Sequence, residues 1–475
     1  MIALEWKEFV RERGTWWILG ALLLASVIAL AQGVSHYRRQ AAAIEAAHVQ
    51  ADRLLAKSRA RADELNASPG ANVPYWLDPR DIGGFANSQL VTFATKPPVA
   101  LAALNVGQSD LYPSYVRLNT EAKDKGVGAQ EIYNPHQLLA GPFDLAFVVI
   151  FLGPLGLIAL GATVGSRDRE QGTHALLTIA ARAPWSVYAR RIAIRALAVW
   201  VIIAASVLAT IAVGVIPNQP WADVGIFLAL AALYLIFWVA VIAAIGFTAE
   251  SAGESALRLF CVWIALLVVV PAVANFAARR FEPVPPRAVF VQAMRDATDA
   301  INRERLSLLE NYFVDHPEFA PADQDVSRLP FTITRIVTVK ELERRVAQVE
   351  ARYATALDAQ QRLLARFEMI SPGLWLQGAF NRLSGTDLER HRDFLRQVDT
   401  YHTALRDFFH PRILSLTKQQ NATRTLDHFE FPRYRYTEFR TPVLRAPGAV
   451  AGLCAVIIAC AALLIWSRLR VGRER

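Results

Sequence analysis

Six apolar blocks constrain this chain more than any other feature of its sequence. Each is about 20 residues long, enough for a helix to cross the ~30 Å hydrocarbon core of a bilayer. Backbone polar groups inside that core must be satisfied internally, so each block is expected to be helical. We therefore predict an all-α polytopic membrane protein with six transmembrane helices, at residues 16–32, 143–165, 196–216, 224–247, 259–278 and 449–466.

The first block is predicted to be a retained helix and not a cleaved signal peptide. Lys7, Arg11 and Arg13 precede it, as basic residues precede a signal core. However, the block is long for such a core and is followed by a polar exit without a clear small-x-small cleavage site. Residues 1–15 then form a charged, amphipathic segment that we predict to lie at the cytoplasmic membrane surface.

The distribution of arginines predicts the orientation, because Lys and Arg concentrate in short cytoplasmic loops. Residues 166–195 contain six arginines against two acidic residues, and the tail 467–475 contains four against one. Both segments, and with them both termini, are predicted to be cytoplasmic. The long stretches after the first and fifth helices are then two large, mainly helical periplasmic insertions, at residues 33–142 and 279–447.

Charge and cysteine content exclude several function classes. The net charge of +9 would suit a nucleic-acid partner, but no recognition motif accompanies it, so none is predicted. Cys261, Cys454 and Cys460 all lie in apolar blocks, which excludes a disulfide-rich secreted module and a cysteine metal site. His402 and His410 lie eight residues apart on a predicted helix. Two solvated histidines are favoured there over a metal pair.

The chain lacks the common motifs of catalysis. Residues 161–165 lack the lysine of a phosphate-binding loop, and neither a His-Glu-x-x-His zinc motif nor a Gly-x-Ser-x-Gly nucleophile motif occurs. His391-Arg392-Asp393 mimics a kinase triplet, but it lies in a helical run without a glycine-rich loop. We predict a chain that is not itself an enzyme, with no catalytic residue, metal or cofactor of its own.

The predicted cytoplasmic loop between the second and third helices is the most informative segment. It begins with a charged cluster, continues into a short apolar helix at residues 174–181, and ends that helix at Pro184. From these residues alone, it is either an ordinary amphipathic loop or a short helix that presents charge to a cytoplasmic partner. The residues that would make such a contact are Arg167, Arg169, Glu170, Gly172 and Thr173.

This loop resembles the Glu-x-Gly-Thr coupling region of ABC-2 type (type V fold) permeases of ATP-binding cassette transporters. Glu170, Gly172 and Thr173 match that pattern position by position. The resemblance implies a permease subunit whose loop docks on a separate cytoplasmic ATPase, with ATP and Mg²⁺ bound to that partner. It also implies a second copy or a related permease in the assembly. Residues 4–14 resemble the interfacial elbow helix of the same family.

Two further segments resemble the bacterial permease family that carries the DUF3526 domain, which implies a bacterial inner membrane. They flank the outer end of the second predicted helix, and proline and glycine favour fixed turns in both. They are therefore either a structural lid that fixes the start of this helix or an outer gate for a substrate, and the structural role is favoured. The residues are Lys96, Pro97, Pro98, Gly107, Asp110 and Pro113, and then Asn134, Pro135, Gly141 and Asp144.

Polar residues in the apolar blocks speak against ion-coupled transport. Asp144, Arg195 and Asn275 lie at or near predicted helix ends, where their side chains can reach the headgroups. None lies at mid-membrane, as an ion relay would require. An amphipathic, lipid-like or peptide cargo is therefore expected for any substrate path.

Three functions agree with these expectations. The main hypothesis is a permease subunit of an export-type ABC transporter. The second is a mechanotransmission subunit, in which ATP-driven helix motion works the periplasmic insertions on a periplasmic partner without moving cargo through the bundle. The third is a membrane-anchored scaffold or receptor without an ATPase, which leaves the coupling-like loop unexplained.

Overall fold

The computed structural model describes residues 9–68, 73–121, 143–173, 184–212, 221–320, 325–415 and 426–443, with residues 6, 454, 457, 458 and 462. Within this part of the chain, five helices are long and apolar enough to cross a membrane. The chain is thus a mainly helical protein of the membrane type. The predicted sixth helix, at 449–466, and the predicted tail, at 467–475, lie outside the described residues except for the four isolated positions.

The first membrane helix continues far beyond its apolar block. Helix α1 runs without interruption through Arg13–Ala67, which is 55 residues, or about 82 Å at the rise of an α-helix. The sequence predicted a transmembrane helix at 16–32 and a new domain from residue 33. The helix does not end at that boundary, because residues 33–40 contain no proline and every one of them is helical. The hydropathy change after Gln32 marks the end of the apolar surface only.

Within the described residues, four further helices long and apolar enough to cross a membrane pack with α1 in the membrane bundle. Helix α2 spans Leu145–Glu170, α3 Pro184–Ala212, α4 Trp221–Thr248 and α5 Ala252–Phe281. Because α3 begins at Pro184, the prediction that the loop extends to residue 195 is wrong: Arg190, Arg191 and Arg195 lie on the helix. We call the two ends of the bundle the Asp144 end and the Glu170 end, after the residue just before α2 and the last residue of α2.

Helix α2 is the centre of the bundle and α5 its periphery. Of the most apolar 18-residue window, 72% is buried in α2 but only 11% in α5. Glycines allow the close packing of α2, since Gly156 lies against Leu22 of α1 and Gly161 against Ile242 of α4. At the Glu170 end, Gly165 lies against the backbone carbonyl of Gly246, where a side chain would collide.

Neighbouring side chains satisfy carbonyls near the prolines of α2 and α5. Pro154 has no N–H to offer the carbonyl of Ile150, four residues earlier, and the Tyr234 hydroxyl donates to that carbonyl over 3.0 Å. In α5, the backbone is π-helical over Ala265–Val269, just before Pro271. There the Ser371 hydroxyl donates to the carbonyl of Leu266 over 2.8 Å. At both prolines, a hydroxyl of a neighbouring element thus donates a hydrogen bond to a nearby backbone carbonyl, as expected for a proline inside a membrane helix.

The two predicted insertions form one body and not two, and we call it the external body after its predicted location. Their helices are α6 Arg287–Arg303, α7 Arg305–Asp315, α8 Phe331–Phe367, α9 Pro372–Ser384 and α10 Leu388–Ser415. Strands β1 Thr92–Thr95 and β2 Tyr115–Leu118 form an antiparallel hairpin, with Thr92 opposite Leu118. One apolar core joins Phe85 and Leu118 of the first insertion to Phe313, Phe394 and Phe409 of the second.

Helix α9 belongs to the membrane bundle, although the sequence placed residues 279–447 wholly outside it. Ser371 caps its first turn by accepting from the N–H of Leu374, and Gly373 lies against Leu267 of α5 and Ile150 of α2. Further along α9, Phe380 stacks on Phe227 of α4 with ring centroids 4.2 Å apart. The loop before α9 therefore reaches into the bundle, and α9 returns from there toward the Asp144 end.

Candidate functional site

The predicted coupling residues lie on and just after a short helix at the Glu170 end. This helix, Ser166–Glu170, is the last segment of α2 and is separated from the rest of α2 by a turn at residues 162–165. Arg167, Glu170 and Gly172 are exposed. Gly172 ends it in the left-handed conformation with φ of +71°, and nothing lies within 4 Å of the position where a side chain would begin. Glycine is needed there for its backbone conformation and not for space. The predicted helix at 174–181 lies outside the described residues.

Two of these residues hold the turn between α4 and α5. The Glu170 carboxylate accepts a hydrogen bond of 2.8 Å from the backbone N–H of Ala252, the first residue of α5. The neighbouring Arg169 guanidinium donates to the carbonyl of Ala249, at the end of α4. The sequence suggested only a role toward a partner for Glu170, and it offered no signal for either of these contacts across about 80 residues of chain.

The same short helix is tied to α3 and to the start of α1. Asp168 forms an ion pair of 2.9 Å with Arg191 of α3, and the Thr173 hydroxyl donates to the Asp168 carbonyl over 3.1 Å. Glu12, just before α1, lies 3.7 Å from Arg167 and 3.4 Å from Arg195. Elements from α1, α3, α4 and α5 therefore meet around one exposed helix of five residues.

The motif at the Asp144 end is tied to the start of α2 through Asp144 itself. One carboxylate oxygen accepts from the N–H of Phe147 over 2.8 Å and so caps the first turn of α2. The other accepts from the N–H of Val106 over 2.9 Å and from that of Gly107 over 3.4 Å.

The loop that contains Asn105 and Gly107 also packs on the end of α9, through a buried polar cluster. The Asn105 amide donates to Asn381 over 3.0 Å and to the Ser384 hydroxyl over 2.8 Å. Gly107 has φ of +52° and lies against Asn381 and Thr386. This position therefore requires glycine both for its left-handed backbone and because a side chain would collide. Sequence reasoning missed Asn105 and this whole cluster, since its two halves are separated by 276 residues.

Lys96 lies in a second buried cluster, at the start of α10. Its ammonium is 3.4 Å from Nδ1 of His391, whose ring stacks on Tyr112 at 4.3 Å. Burial lowers the pKa of Lys96 to about 7, with the nearby Arg390 charge adding to the shift and Asp387 opposing it. Burial likewise lowers the pKa of His391 to about 3, with Lys96 as the smaller cause. His391 is therefore neutral at ordinary pH, and its Nδ1 can accept a hydrogen bond from the Lys96 ammonium.

The remaining motif residues are spread around these contacts. The Pro97 carbonyl accepts from Arg390 over 2.8 Å, while Pro98, Asp110 and Pro113 are partly buried in the surrounding loop. Asn134, Pro135 and Gly141 lie outside the described residues. The contacts of Asp144 and Gly107 hold this loop against the first turn of α2, as a structural role requires. The outer-gate interpretation stays a prediction.

The described residues contain no cluster of three or more His, Cys, Asp or Glu side chains able to hold a metal ion. His402, one of the two histidines considered from the sequence, lies 2.7 Å from the carbonyl of Glu121 through Nε2. Burial lowers the pKa of His410 to about 3, with Arg406, His402 and Lys340 adding to the shift. Both histidines are thus structural parts of α10 and not the solvated pair that the sequence favoured.

The comparison with protein families gives one match. A domain of unknown function (DUF3526) matches residues 287–437, from α6 to beyond α10. The predicted DUF3526 domain is thereby confirmed, but for residues 287–437 and not for the segments around 96–113 and 134–144 that suggested it. The match does not extend to the permease assignment. No curated protein and no solved structure matches the chain.

Proposed function

We propose that this chain is the membrane-spanning permease subunit of an ABC transporter of export type, driven by a separate ATPase subunit. The observation that carries the proposal is the exposed helix Ser166–Glu170, which is bonded to α3, to the end of α4 and to the start of α5. A force applied to this helix by a docked partner would reach three membrane helices directly. This is the mechanical property that an ATPase docking site needs.

In this proposal, the Glu170 end faces the cytoplasm of a bacterial cell and the Asp144 end faces the periplasm. ATP and Mg²⁺ belong to the partner, and a second permease copy completes the membrane assembly. Arg167 and the exposed edge of Gly172 would touch the ATPase. Arg169 and Glu170 would transmit the motion, since their polar groups are engaged within this chain.

The test is an affinity purification from native membranes in mild detergent. A Walker-motif ATPase is expected at about one copy per permease, and Arg167→Glu should displace it, because that side chain is 59% exposed and only weakly paired with Glu12. Arg352→Glu, an exposed arginine of α8, is the matched control and should keep the ATPase. A preparation with no ATPase, from membranes where one is expressed, would overturn the proposal.

The mechanotransmission alternative is favoured by one observation, the continuity of α1 from the Glu170 end into the external body. There the Arg59 guanidinium donates to the carbonyl of Phe429, and His48 lies 3.3 Å from the Thr95 hydroxyl. Replacing the exposed Arg38 and Arg39 with glycine would lower the helical stability of α1 by about 1 kcal/mol per site relative to alanine. A loss of activity with the glycine pair but not with the alanine pair would support this alternative, and equal activity would speak against it.

A further inference from the structure

Three helices present pairs of exposed arginines near the Asp144 end of the bundle. One pair lies on α1, one at the end of α5 and one near the end of α8. None of the six forms an ion pair within the described part of the chain. We call this set the arginine collar, and its members are Arg38, Arg39, Arg279, Arg280, Arg362 and Arg366. Their height relative to the bilayer indicates which anions they can meet.

The height of the α1 pair follows from its contacts with α2. Residues 144–165 of α2 span about 32 Å, which matches the hydrocarbon core of a bilayer, so the first turn of α2 marks one edge of that core. Gly33 of α1 lies against the carbonyl of Ala103. The carbonyl of the next residue, Leu104, accepts from the N–H of Ala146 over 3.3 Å, so Gly33 is level with this first turn. The arginine pair begins about 8 Å further out.

The α5 pair lies at a similar height. Gly373 lies against both Ile150 of α2 and Leu267 of α5, so these two residues are level. Ile150 lies about 9 Å from Asp144 toward the bilayer centre, and the arginine pair begins about 18 Å beyond Leu267, so the pair lies about 9 Å beyond Asp144. Both α1 and α5 begin at the Glu170 end. Because helical side chains lean toward the N-terminus of their helix, these four arginines lean back toward the bilayer.

Helix α8 descends beside α5 and brings the third pair to the same layer. The Gln360 amide donates to the carbonyl of Glu282, just after the end of α5, over 3.3 Å. Further along the chain, the Ser371 hydroxyl donates to the carbonyl of Leu266, inside the membrane part of α5. The arginine pair of α8 lies between these two contacts. All three pairs therefore lie in one layer just beyond the hydrocarbon edge, at the height of lipid headgroups.

The surface on the bilayer side of the collar is apolar. On α5, Phe276 is 70% exposed and Val273 is 51% exposed. Where α8 ends, Met369 is 61% exposed and Ile370 is 59% exposed. A change from exposed apolar to exposed basic side chains at one height is typical of the boundary between acyl chains and headgroups. The collar therefore faces lipid phosphates.

The chain's own carboxylates do not neutralise the collar. Within the described residues near this height, four are paired with other arginines: Asp223, Asp358, Glu368 and Glu438, with Arg440, Arg392, Arg382 and Arg390. Asp144 accepts from backbone N–H groups, and Asp387 is buried near Lys96. The other carboxylates near this height are Glu45, Asp110, Glu282 and Glu389. Even if each of these four neutralised one collar arginine, two positive charges would remain.

We propose that the arginine collar binds the phosphate groups of anionic phospholipids, such as phosphatidylglycerol, in the leaflet at the Asp144 end. Guanidiniums bind phosphate oxygens through paired N–H donors, while the acyl chains cover the exposed apolar side chains of α5 and of the turn after α8. A zwitterionic phospholipid brings a cation with each phosphate and leaves the excess charge of the collar uncompensated. The proposal depends neither on a docked ATPase nor on which end of the bundle faces the cytoplasm.

The test uses the full chain in mixed micelles with phosphatidylcholine and phosphatidylglycerol, and bound lipids are counted by native mass spectrometry. Phosphatidylglycerol should be preferred, and less so as the salt concentration rises. Arg279→Gln with Arg280→Gln should weaken the preference by about 25-fold, since each arginine near an anionic surface contributes roughly fivefold. Arg38→Gln with Arg39→Gln should do the same on another helix.

The matched control is Arg295→Gln with Arg352→Gln. Both arginines are exposed, on α6 and α8, but Arg352 lies about 15 Å further from the bilayer than Arg362. This variant should keep the preference. Equal binding of the two lipids by the unaltered chain would overturn the proposal, and so would an equal loss in the control, which would show an effect of net charge alone. Equal competition by soluble glycerophosphoglycerol would make the ligand a soluble anion and not a lipid.

Discussion

The carboxylate of Glu170 accepts a hydrogen bond of 2.8 Å from the backbone N–H of Ala252. The last residue of α2 thereby holds the first residue of α5, and the turn that precedes α5 is held again by Arg169. A residue suggested by a docking motif thus has a contact inside its own chain. Any variant of Glu170 changes this contact as well as a partner surface.

Glu170→Ala should lower the free energy of unfolding by about 1 kcal/mol, because an N–H in the first turn of α5 loses its acceptor. Glu170→Gln keeps an acceptor oxygen and should cost less. Thermal unfolding of both variants in detergent measures the difference. If both unfold like the unaltered protein, the contact with Ala252 contributes nothing to stability, and any effect on ATPase coupling must come from the partner side.

Asp144→Ala should be more damaging than Glu170→Ala. It leaves the N–H groups of Phe147 and Val106 without an acceptor at a position that is 3% exposed, at a cost of about 3 kcal/mol. Asp144→Asn retains acceptor capacity and should lose less. Denaturation in detergent and protease resistance of residues 96–113 give two measures. Equal stability of the alanine variant and the unaltered chain would contradict the structural role assigned to this motif.

The pairing of Tyr234 with the carbonyl of Ile150 predicts a coupling to Pro154. Tyr234→Phe alone should destabilise the bundle by about 1 kcal/mol, since a buried carbonyl loses its donor. In a Pro154→Ala background, a backbone N–H becomes available and the same substitution should cost less. A double-mutant cycle measures the coupling. Pro271→Ala is the control background, and additive effects of Tyr234→Phe and Pro154→Ala would refute the coupling.

The external body should lose stability as the pH falls below 6.5. Burial lowers the pKa of His391 and of His410 to about 3 in the folded chain, against 6.5 ordinarily. The unfolded chain therefore takes up protons first on acidification, and each histidine contributes a slope of up to about 1.4 kcal/mol per pH unit below 6.5. Unfolding measured between pH 6.5 and 5 should show a smaller slope in His391→Gln, and an unchanged slope would contradict its burial as a neutral group.

The sequence predicted the membrane helices well where apolar length is decisive, and poorly where polar helices continue or return. Hydropathy located α2 and α4 to within a few residues, because a bilayer requires apolar length. The continuation of α1 was missed because no change in helical tendency accompanies the change in hydropathy at Gln32. The return of α9 into the bundle was missed because residues 372–384 are of mixed polarity. Only their contacts with Leu267 and Phe227 place them there.

Of the candidate site, composition and motif spacing indicated the residues but not their partners. Gly107, Asp144 and Lys96 were singled out. The residues that Gly107 and Lys96 meet, around α9 and α10, lie hundreds of positions away, and Val106, which Asp144 binds, lies 38 positions away. A local pattern contains no information about such pairs. The acceptor role of Glu170 toward Ala252 was missed for the same reason.

The uninterrupted length of α1 has a geometric consequence for any motion at the Glu170 end. A helix does not shorten or bend cheaply, so a small rotation about its first turn becomes a sideways swing of its last turn. For a helix of about 82 Å, a tilt of about 5° displaces the far end by about 7 Å. An angular change too slight to part the membrane helices would thus move the external body by more than the width of a side chain.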